Sequence, residues 1–496
     1  MTTWAVRLAN GLAERGREVA MLVHPRGEGQ PAAVVELHRK VRRIEPSGWP
    51  SMHHIEGDLS PFLPAYRDAV RQMSDETGAS VVLMPNILGD SYGLAAALSL
   101  TDFDRVRVLG WQHTDSDYDT GLLLRFEPII SKYVAIDERA ICVLGAKLPH
   151  RRGDITTVRH GVRVPYLPPE RREPIEGRPV RLVYTGRIEH FQKRVLSFAY
   201  LSDELTRRGI DHEIVVVGDG PAAAEFDAMI ASRPKVVRKG LAGTKEVEGW
   251  LKWGDAFVLG SRFEGLCISR IEAMAHGCVP LVTNVNSGAA TGIEPGVSGL
   301  IVDAQPGDDE KAVGVALADS VQRFIGSDRN AMAIAAWNAA LSQFSIDEHV
   351  EGVSKVLDEI GRSPARPWRA SWPCAFSFSP NSPGCSGTVP SHGPRRMKEV
   401  LELLAGRKVA IHGAGRHTIE LAGVLSESAA TIVAITDDNR DRWGKPFLGW
   451  QVWEPARLAA TGATDVVISS WLHSETIWGR RGVYESQGLR VHRLYE

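Results

Sequence analysis

Residues 255–283 read DAFVLGSRFEGLCISRIEAMAHGCVPLVT. Ala256 to Gly260 is an apolar run of strand length, Ser261 to Gly265 is turn-forming, and Leu266 to His276 has helical composition. Gly277 stands where a left-handed residue closes a helix. Val279 to Thr283 is a second buried strand. A strand, loop, helix and strand in this order predict a parallel sheet.

Two carboxylates hold fixed places in this unit. Glu264 lies in the loop before the helix, and Glu272 lies on the helix's second turn. The backbone amides of Gly265, Leu266 and Cys267 are expected to be unpaired at the helix start. A free helix N-terminus attracts anions, phosphates above all. The pattern suits a phosphorylated ligand whose hydroxyl groups meet the two carboxylates, and a nucleotide-sugar has both features. Taken singly, either glutamate reads better as a helix-end acid or a solvated side chain, and it is the whole string that is specific.

From Glu264 to Pro280 the string is E-G-x6-E-A-M-A-x-G-x-x-P. It resembles the glutamate-x7-glutamate signature of the retaining glycosyltransferases of family 4, which have the GT-B fold. The resemblance implies that Glu264 touches the donor sugar and Glu272 the nucleotide ribose, with Gly265, Leu266 and Cys267 in the donor site. Cys267 stands where that family often has glycine or another small residue.

The preceding segment extends the likeness. Val180 to Thr185 is a clear strand, followed by Gly186-Arg187 and then Lys193 before a helix. Two cations at such a turn neutralise a diphosphate, arginine as a fork and lysine as a point charge. In the family both bind the donor diphosphate and stabilise it as it leaves, so the resemblance implies that no metal is required. Ile214 to Val217 runs into Gly218-Asp219-Gly220-Pro221, a strand and tight turn. Gly218 and Gly220 are donor-site candidates, although glycines serve such a turn whatever binds nearby. Lys239 to Thr244 leads into a helix containing Val247 to Trp253, near where the family lodges its base. Asn286-Ser287-Gly288 follows the next strand on the crevice side, and Gly299 to Val302 resembles the family's closing strand. A helix from about Asp347 to Ile360 would cross back over the first domain.

The chain opens on a helix. Over residues 2–16, Trp4, Leu8 and Leu12 recur at helical spacing and Gly16 is a C-cap. Glu18 to Val23 reads as a strand. A doubly wound domain normally begins with a strand and a glycine-rich turn. Arg15 to Val19 match the family's R-G-x-x-V wording, but the strand and Gly-Gly loop that usually precede it are not in this sequence. The expectation is either a start lying further upstream or a phosphate and acceptor site lacking a part. Val81 to Met84 is a strand, with Pro85-Asn86 and Gly89 in the loop after it. Val106 to Trp111 is another, running into Gln112-His113-Thr114-Asp115. Polar residues at the carboxyl end of a parallel strand face the ligand crevice. His113 is therefore a candidate to polarise or position a reacting hydroxyl, as a histidine at such a strand end does in the family. Asp115, Asp117 and Asp119 alternate as in a calcium loop but lack its glycine and distal glutamate. Tyr133 to Ile136 and Thr157 to Val162 complete the first domain.

The reading is thus α/β, with two Rossmann-like domains facing a cleft, over residues 1–165 and 178–361. Residues 362–395 form a Pro-, Ser- and Gly-rich linker, less polar than most because of Trp368, Trp372, Phe376 and Phe378, so part of it is expected to dock. Residues 396–496 form a small Rossmann-like domain. There Lys408 to His412 leads into Gly413-Ala414-Gly415, then a helix, then Thr431 to Thr436 with Asp437. Gly413, Gly415 and Asp437 are candidates for a second nucleotide site, on a motif lacking its third spaced glycine.

Composition bounds the rest. The chain has 496 residues, 43% hydrophobic and 24% charged, which is ordinary for a globular protein of two or three domains. A net charge of −2 offers no basic field for nucleic acid. The five cysteines are scattered with no C-x-x-C, which fits a reducing compartment, hence the cytoplasm. The basic cluster His38 to Arg43 reads as a solvated strand end or as peripheral contact with an anionic membrane face. The resemblance implies transfer of a sugar from a nucleotide-diphosphate-sugar to a hydroxyl acceptor with retention. A degenerate nucleotide-binding scaffold and a nucleotide-sugar epimerase of the same fold are the alternatives. The base, the sugar and the acceptor are not legible.

Overall fold

The protein is described by a computed structural model over residues 2–25, 36–50, 59–85, 89–114, 116–170, 173–283, 288–368, 393–470 and 474–495. Asn86, Asp115, Asn286, Ser287, Trp372, Phe376 and Phe378 lie outside the described residues.

The first unit begins with α1 (Thr2–Glu14), β1 (Val19–Leu22), β2 (Val41–Ile44), α2 (Leu63–Thr77) and β3 (Val81–Leu83). It continues with α3 (Gly89–Thr101), β4 (Val106–Gln112), α4 (Asp117–Arg125), β5 (Lys132–Ala135), α5 (Glu138–Lys147) and β6 (Ile155–Thr157). Its strands form two parallel sheets, β1-β2 and β3-β4-β5-β6. β1 and β3 do not pair, and both are half-buried along their length, whereas β4 is buried at all but one position. Of the basic cluster, Arg42 pairs with Glu76 and Arg43 with Glu45.

The second unit runs through β7 (Val180–Thr185), α6 (Ser197–Arg207), β8 (His212–Val217), α7 (Ala223–Ile230), β9 (Val236–Gly240), α8 (Thr244–Trp253) and β10 (Ala256–Leu259). Then come α9 (Ile268–Ala275), β11 (Val279–Thr283), β12 (Leu300–Val302), α10 (Glu310–Ile325), α11 (Arg329–Phe344) and α12 (Ile346–Gly361). The sheet order is β12-β11-β10-β7-β8-β9, all parallel. From β7 the chain moves outward through β8 and β9, then returns to β10 on the other side. Strand order therefore reverses between β7 and β10, where such sheets bind ligands at their carboxyl ends. The core is continuous, with Leu182, Tyr184, Val216, Phe257 and Leu281 fully buried.

α12 does cross back. Its Val350, Val353, Val356 and Ile360 pack in one cluster with Trp4, Leu8 and Leu12 of α1 and with Leu109, Trp111 and Val134. Gly11 permits the approach, since a Cβ there would stand 2.5 Å from a Val350 methyl. Beyond α12, Trp368 docks on the first unit beside Phe126, with its amide on the Ser99 hydroxyl.

The third unit holds α13 (Gly393–Leu403), β13 (Lys408–His412), α14 (Arg416–Glu420), α15 (Ala422–Ser426), β14 (Thr431–Thr436), β15 (Pro446–Phe447) and β16 (Trp450–Trp453). β17 (Asp465–Ile468), α16 (Ser474–Gly479), α17 (Gly482–Glu485) and β18 (Arg490–Arg493) complete it. The order β15-β16-β14-β13-β17-β18 is parallel except for the edge hairpin β15-β16. No helix among the described residues is long and apolar enough to cross a membrane.

Candidate functional site

α9 begins later than composition predicts. Cys267 is its N-cap in a left-handed conformation, φ 32°, so Gly265, Leu266 and Cys267 form the turn ahead of the helix. Their amides make no hydrogen bond to any described residue. Glu264 is 5% exposed and accepts from the Ser261 hydroxyl at 2.6 Å and from Lys193 Nζ at 2.5 Å. Gln192 Nε2 approaches its other oxygen at 3.3 Å, and Arg187 Nη2 donates to Gln192 Oε1 at 3.1 Å. Arg187, Gln192, Glu264 and Lys193 thus form one polar chain across the β7/β10 switch point. Burial opposes the charge on Lys193, but Glu264 outweighs it and holds the ammonium above its ordinary pKa. Cys267 is pushed up by burial and then by Glu264, so the thiol is neutral.

Arg194, adjoining Lys193, has no exposed surface and braces the site from below. Its guanidinium donates to the carbonyls of Gly260, Ser261, Gln305 and Asp308 at 2.6–3.1 Å. Burial lowers it to about 10, still charged at neutral pH. Sequence reasoning missed it because a second cation beside a lysine reads as surface charge.

The glycine turns are interlocked. Gly218 has φ +149°, and a Cβ there would stand 1.8 Å from the Gly186 carbonyl oxygen. Gly220 has φ +159°, with its Cβ position 2.3 Å from the Ile188 carbonyl oxygen. The Gly186 amide donates to Val217 and the Ile188 amide to Asp219, so both turns at the switch point share one backbone lattice.

Glu272 lies on α9 away from this chain. Its carboxylate meets Arg7 of α1, Nη2 to Oε1 at 2.7 Å. The first unit closes on the turn from the other side: a Cβ on Gly265 would stand 2.2 Å from the His113 carbonyl oxygen, and one on Gly288 2.3 Å from that of Gly265. Between Thr114, Asp137, Ala140, Glu264 and Gly288 lies a cavity of only about 10 Å³.

His113 departs from the sequence reading. Its carbonyl, not its ring, faces the cleft turn. The ring is 4% exposed and turns inward against Trp4 and Trp111, with Nδ1 3.2 Å from His160 Nε2. Its Nε2 has no partner among the described residues. His349 of α12 joins the cluster by accepting from Trp4 Nε1 at 2.9 Å, while its Nδ1 lies 2.7 Å from the Arg159 carbonyl. The reversal has a physical cause: Asp119 takes the His113 and Thr114 amides, which turns the strand end back towards α1.

Burial lowers His113 to about 3, His349 to about 4 and His160 well below its ordinary value. The unfolded chain therefore binds protons that the folded chain refuses. The stability these rings confer is complete above about pH 6.5 and is lost as pH falls towards 4. Thermal midpoints should decline steadily from pH 7 to pH 5, and His113→Phe should remove about one proton from that slope. An unchanged slope in the variant would show that the cluster does not set acid stability.

Arg270, on α9, has no exposed surface. It donates to the Thr291 carbonyl at 2.7 Å and lies over the Phe344 ring, but its Nε and Nη2 have no partner among the described residues. Its position on the buried face of the helix, between Cys267 and Met274, is the one signal the sequence offers.

In the third unit Gly413, φ +122°, packs on the Ser469 carbonyl, 2.7 Å from its Cβ position, and Gly415 is the N-cap of α14. Asp437 is turned onto the glycine loop, accepting from the Ala414 amide at 2.7 Å and, through its other oxygen, from the Asn439 amide. The acid braces the turn, which gives these residues a structural task in this geometry. Among the described residues no group of three or more His, Cys, Asp or Glu is placed to hold a metal ion.

Residues 179–325 match the family described as glycosyl transferases group 1. Over 192 residues the chain is 29% identical to alpha-D-kanosaminyltransferase of Streptomyces kanamyceticus, covering 38% of this chain and 47% of that protein. The chain thus spans about half the length of the curated relative it matches. Among solved structures, sucrose-phosphate synthase of Thermosynechococcus elongatus aligns with TM-score 0.55 at 15% identity, over 72% of this chain and 92% of that one. A glycosyltransferase of Rickettsia africae aligns with TM-score 0.54 at 16% identity, over 73% and 95%. Anabaena HepE in complex with UDP-glucose aligns with TM-score 0.51 at 14% identity, over 69% and 99%. The fold is GT-B, α/β with parallel sheets.

Proposed function

We propose that this chain is a retaining glycosyltransferase that moves a sugar from a nucleotide-diphosphate-sugar to a hydroxyl acceptor. One observation carries the reading: Lys193, Arg187 and the open amides of Gly265 to Cys267 lie at the switch point around the buried carboxylate of Glu264, inside the matched segment. The bond between the anomeric carbon and the diphosphate oxygen breaks, and a bond to the acceptor oxygen forms on the same face. The acceptor's proton passes to the leaving diphosphate. Lys193, Arg187 and the three amides stabilise the charge that develops there, and fixed dipoles and cations aimed at developing charge lower a barrier more than any other device in sites of this kind. Glu264 orients the sugar through its hydroxyls, and Glu272 takes the ribose. Arg194 positions Ser261 and, through it, Glu264. His113 is then a packing residue whose carbonyl borders the cleft.

A thermal-shift panel of UDP-, GDP-, ADP- and dTDP-sugars tests this. Stabilisation by one base class supports a donor site and identifies the base. Silence from all four would favour a scaffold that kept the fold. Conversion of the donor to an isomer without any acceptor would favour an epimerase.

A further inference from the structure

Arg7 and Glu272 are 265 positions apart in sequence and belong to different units, yet they form a 2.7 Å ion pair. Their side chains are 18% and 23% exposed, so the pair is drier than an ordinary surface contact. Nη1 of Arg7 is buried and has no hydrogen-bond partner among the described residues. A guanidinium has five donors, and leaving one buried without an acceptor is unfavourable.

The two sides of the pair are anchored separately. α1 and the turn after it are bound to α12, the helix that crosses back onto the first unit, by the Trp4–His349 bond, by Arg15 with Asp347 and Glu351, and by Arg17 with Asp358. Glu272 is anchored in α9, whose Arg270 and Met274 are buried in the second unit. Arg7 therefore reaches across the cleft from a fixed base. With a rise of about 1.5 Å per residue, Glu272 stands about 7.5 Å along the helix from Cys267, a distance that the swing of an arginine side chain about its Cα spans.

We infer that Arg7 is a donor-diphosphate ligand supplied by the first unit, with Glu272 as its resting partner. The inference rests on the donor-site reading above. Ribose hydroxyls take the Glu272 oxygens, and the Arg7 fork turns towards the amides of Gly265 to Cys267, where the diphosphate lies. Its unpartnered Nη1 gains an acceptor there. Arg7 then faces Lys193 across the diphosphate, one cation from each unit, so donor binding and closure of the cleft are a single event. An arginine serving only as a strut between units would affect stability and, through the parting of the units, alter diphosphate and nucleoside affinity alike.

The test uses the full chain with UDP, GDP, ADP and dTDP, their nucleosides, and the Arg7→Gln and Arg7→Lys variants, measured by calorimetric titration. For whichever nucleoside diphosphate the native chain binds, Arg7→Gln should weaken affinity about 10- to 100-fold. Affinity for the corresponding nucleoside should change less than about twofold, because it offers no phosphate. Arg7→Lys should recover part of the loss and keep the dependence on salt. Unchanged diphosphate affinity in Arg7→Gln, with only a lower thermal midpoint, would overturn the inference. Equal changes for diphosphate and nucleoside would overturn it in favour of a strut. A native chain that binds none of the four diphosphates would instead overturn the donor-site reading, and the inference with it.

Discussion

Glu264→Gln should lower turnover of the donor by about 10²- to 10³-fold, while affinity for the nucleoside diphosphate stays the same or increases. The carboxylate is buried, accepts from Ser261 and pairs with Lys193 at 2.5 Å. Glutamine keeps the shape but removes the negative charge that holds Lys193. The freed ammonium can then turn to the diphosphate, so the nucleotide loses nothing. Without ligand the variant leaves a cation 14% exposed and unpaired, and its stability should fall by about 1–3 kcal/mol. Bound diphosphate should restore more of the midpoint in the variant than in the native chain. Slow hydrolysis of the donor, with water as acceptor, gives the rate without knowledge of the acceptor. Loss of turnover and of nucleotide affinity by the same factor would remove the role assigned to this residue.

Gly218→Ala should be more damaging to the protein than any change of charge at the site. The Cβ would lie 1.8 Å from the Gly186 carbonyl oxygen, and that oxygen is backbone, with no side-chain rotation to relieve the clash. The residue also has φ +149°, a conformation that alanine avoids. Either the 186–188 turn or the 217–220 turn must move, and each is bonded to the other through Gly186 with Val217 and Ile188 with Asp219. The expected loss exceeds about 4 kcal/mol, with a midpoint lower by on the order of 10 °C and no donor binding. Gly243→Ala is the control, since its Cβ would meet nothing within 4 Å. Native-like stability in Gly218→Ala would show that the two turns are free to separate.

What the sequence made legible follows the range of each interaction. Lys193, Arg187 and Glu264 could be singled out because each sits at a local boundary between strand, turn and helix, where composition changes within a few residues. Their pairing could not, because Lys193 and Glu264 are 71 positions apart. α1 is readable from Trp4, Leu8 and Leu12, whereas the separation of β1-β2 from β3-β4-β5-β6 among the described residues is a tertiary outcome. The inward turn of His113 depends on Asp119 locally and on Trp4, His160 and His349 from three other parts of the chain, which no window of sequence contains. Composition places the helix start two residues early because nothing in Leu266 and Cys267 signals the left-handed backbone at Cys267.

The tight seam between Gly265 and His113, with about 10 Å³ of space beside it, has a kinetic consequence. Ligand cavities of this class measure hundreds of Å³, so on the donor-site reading proposed above a donor reaching this turn requires the units to part. Apparent affinity is then the intrinsic affinity multiplied by the parted fraction: if about one molecule in a hundred is parted, binding is weakened about a hundredfold. The association rate should level off as donor concentration rises, at a ceiling set by the parting itself. Substitutions far from any ligand atom that ease the seam would tighten apparent binding and raise that ceiling together, a signature that distinguishes access from contact.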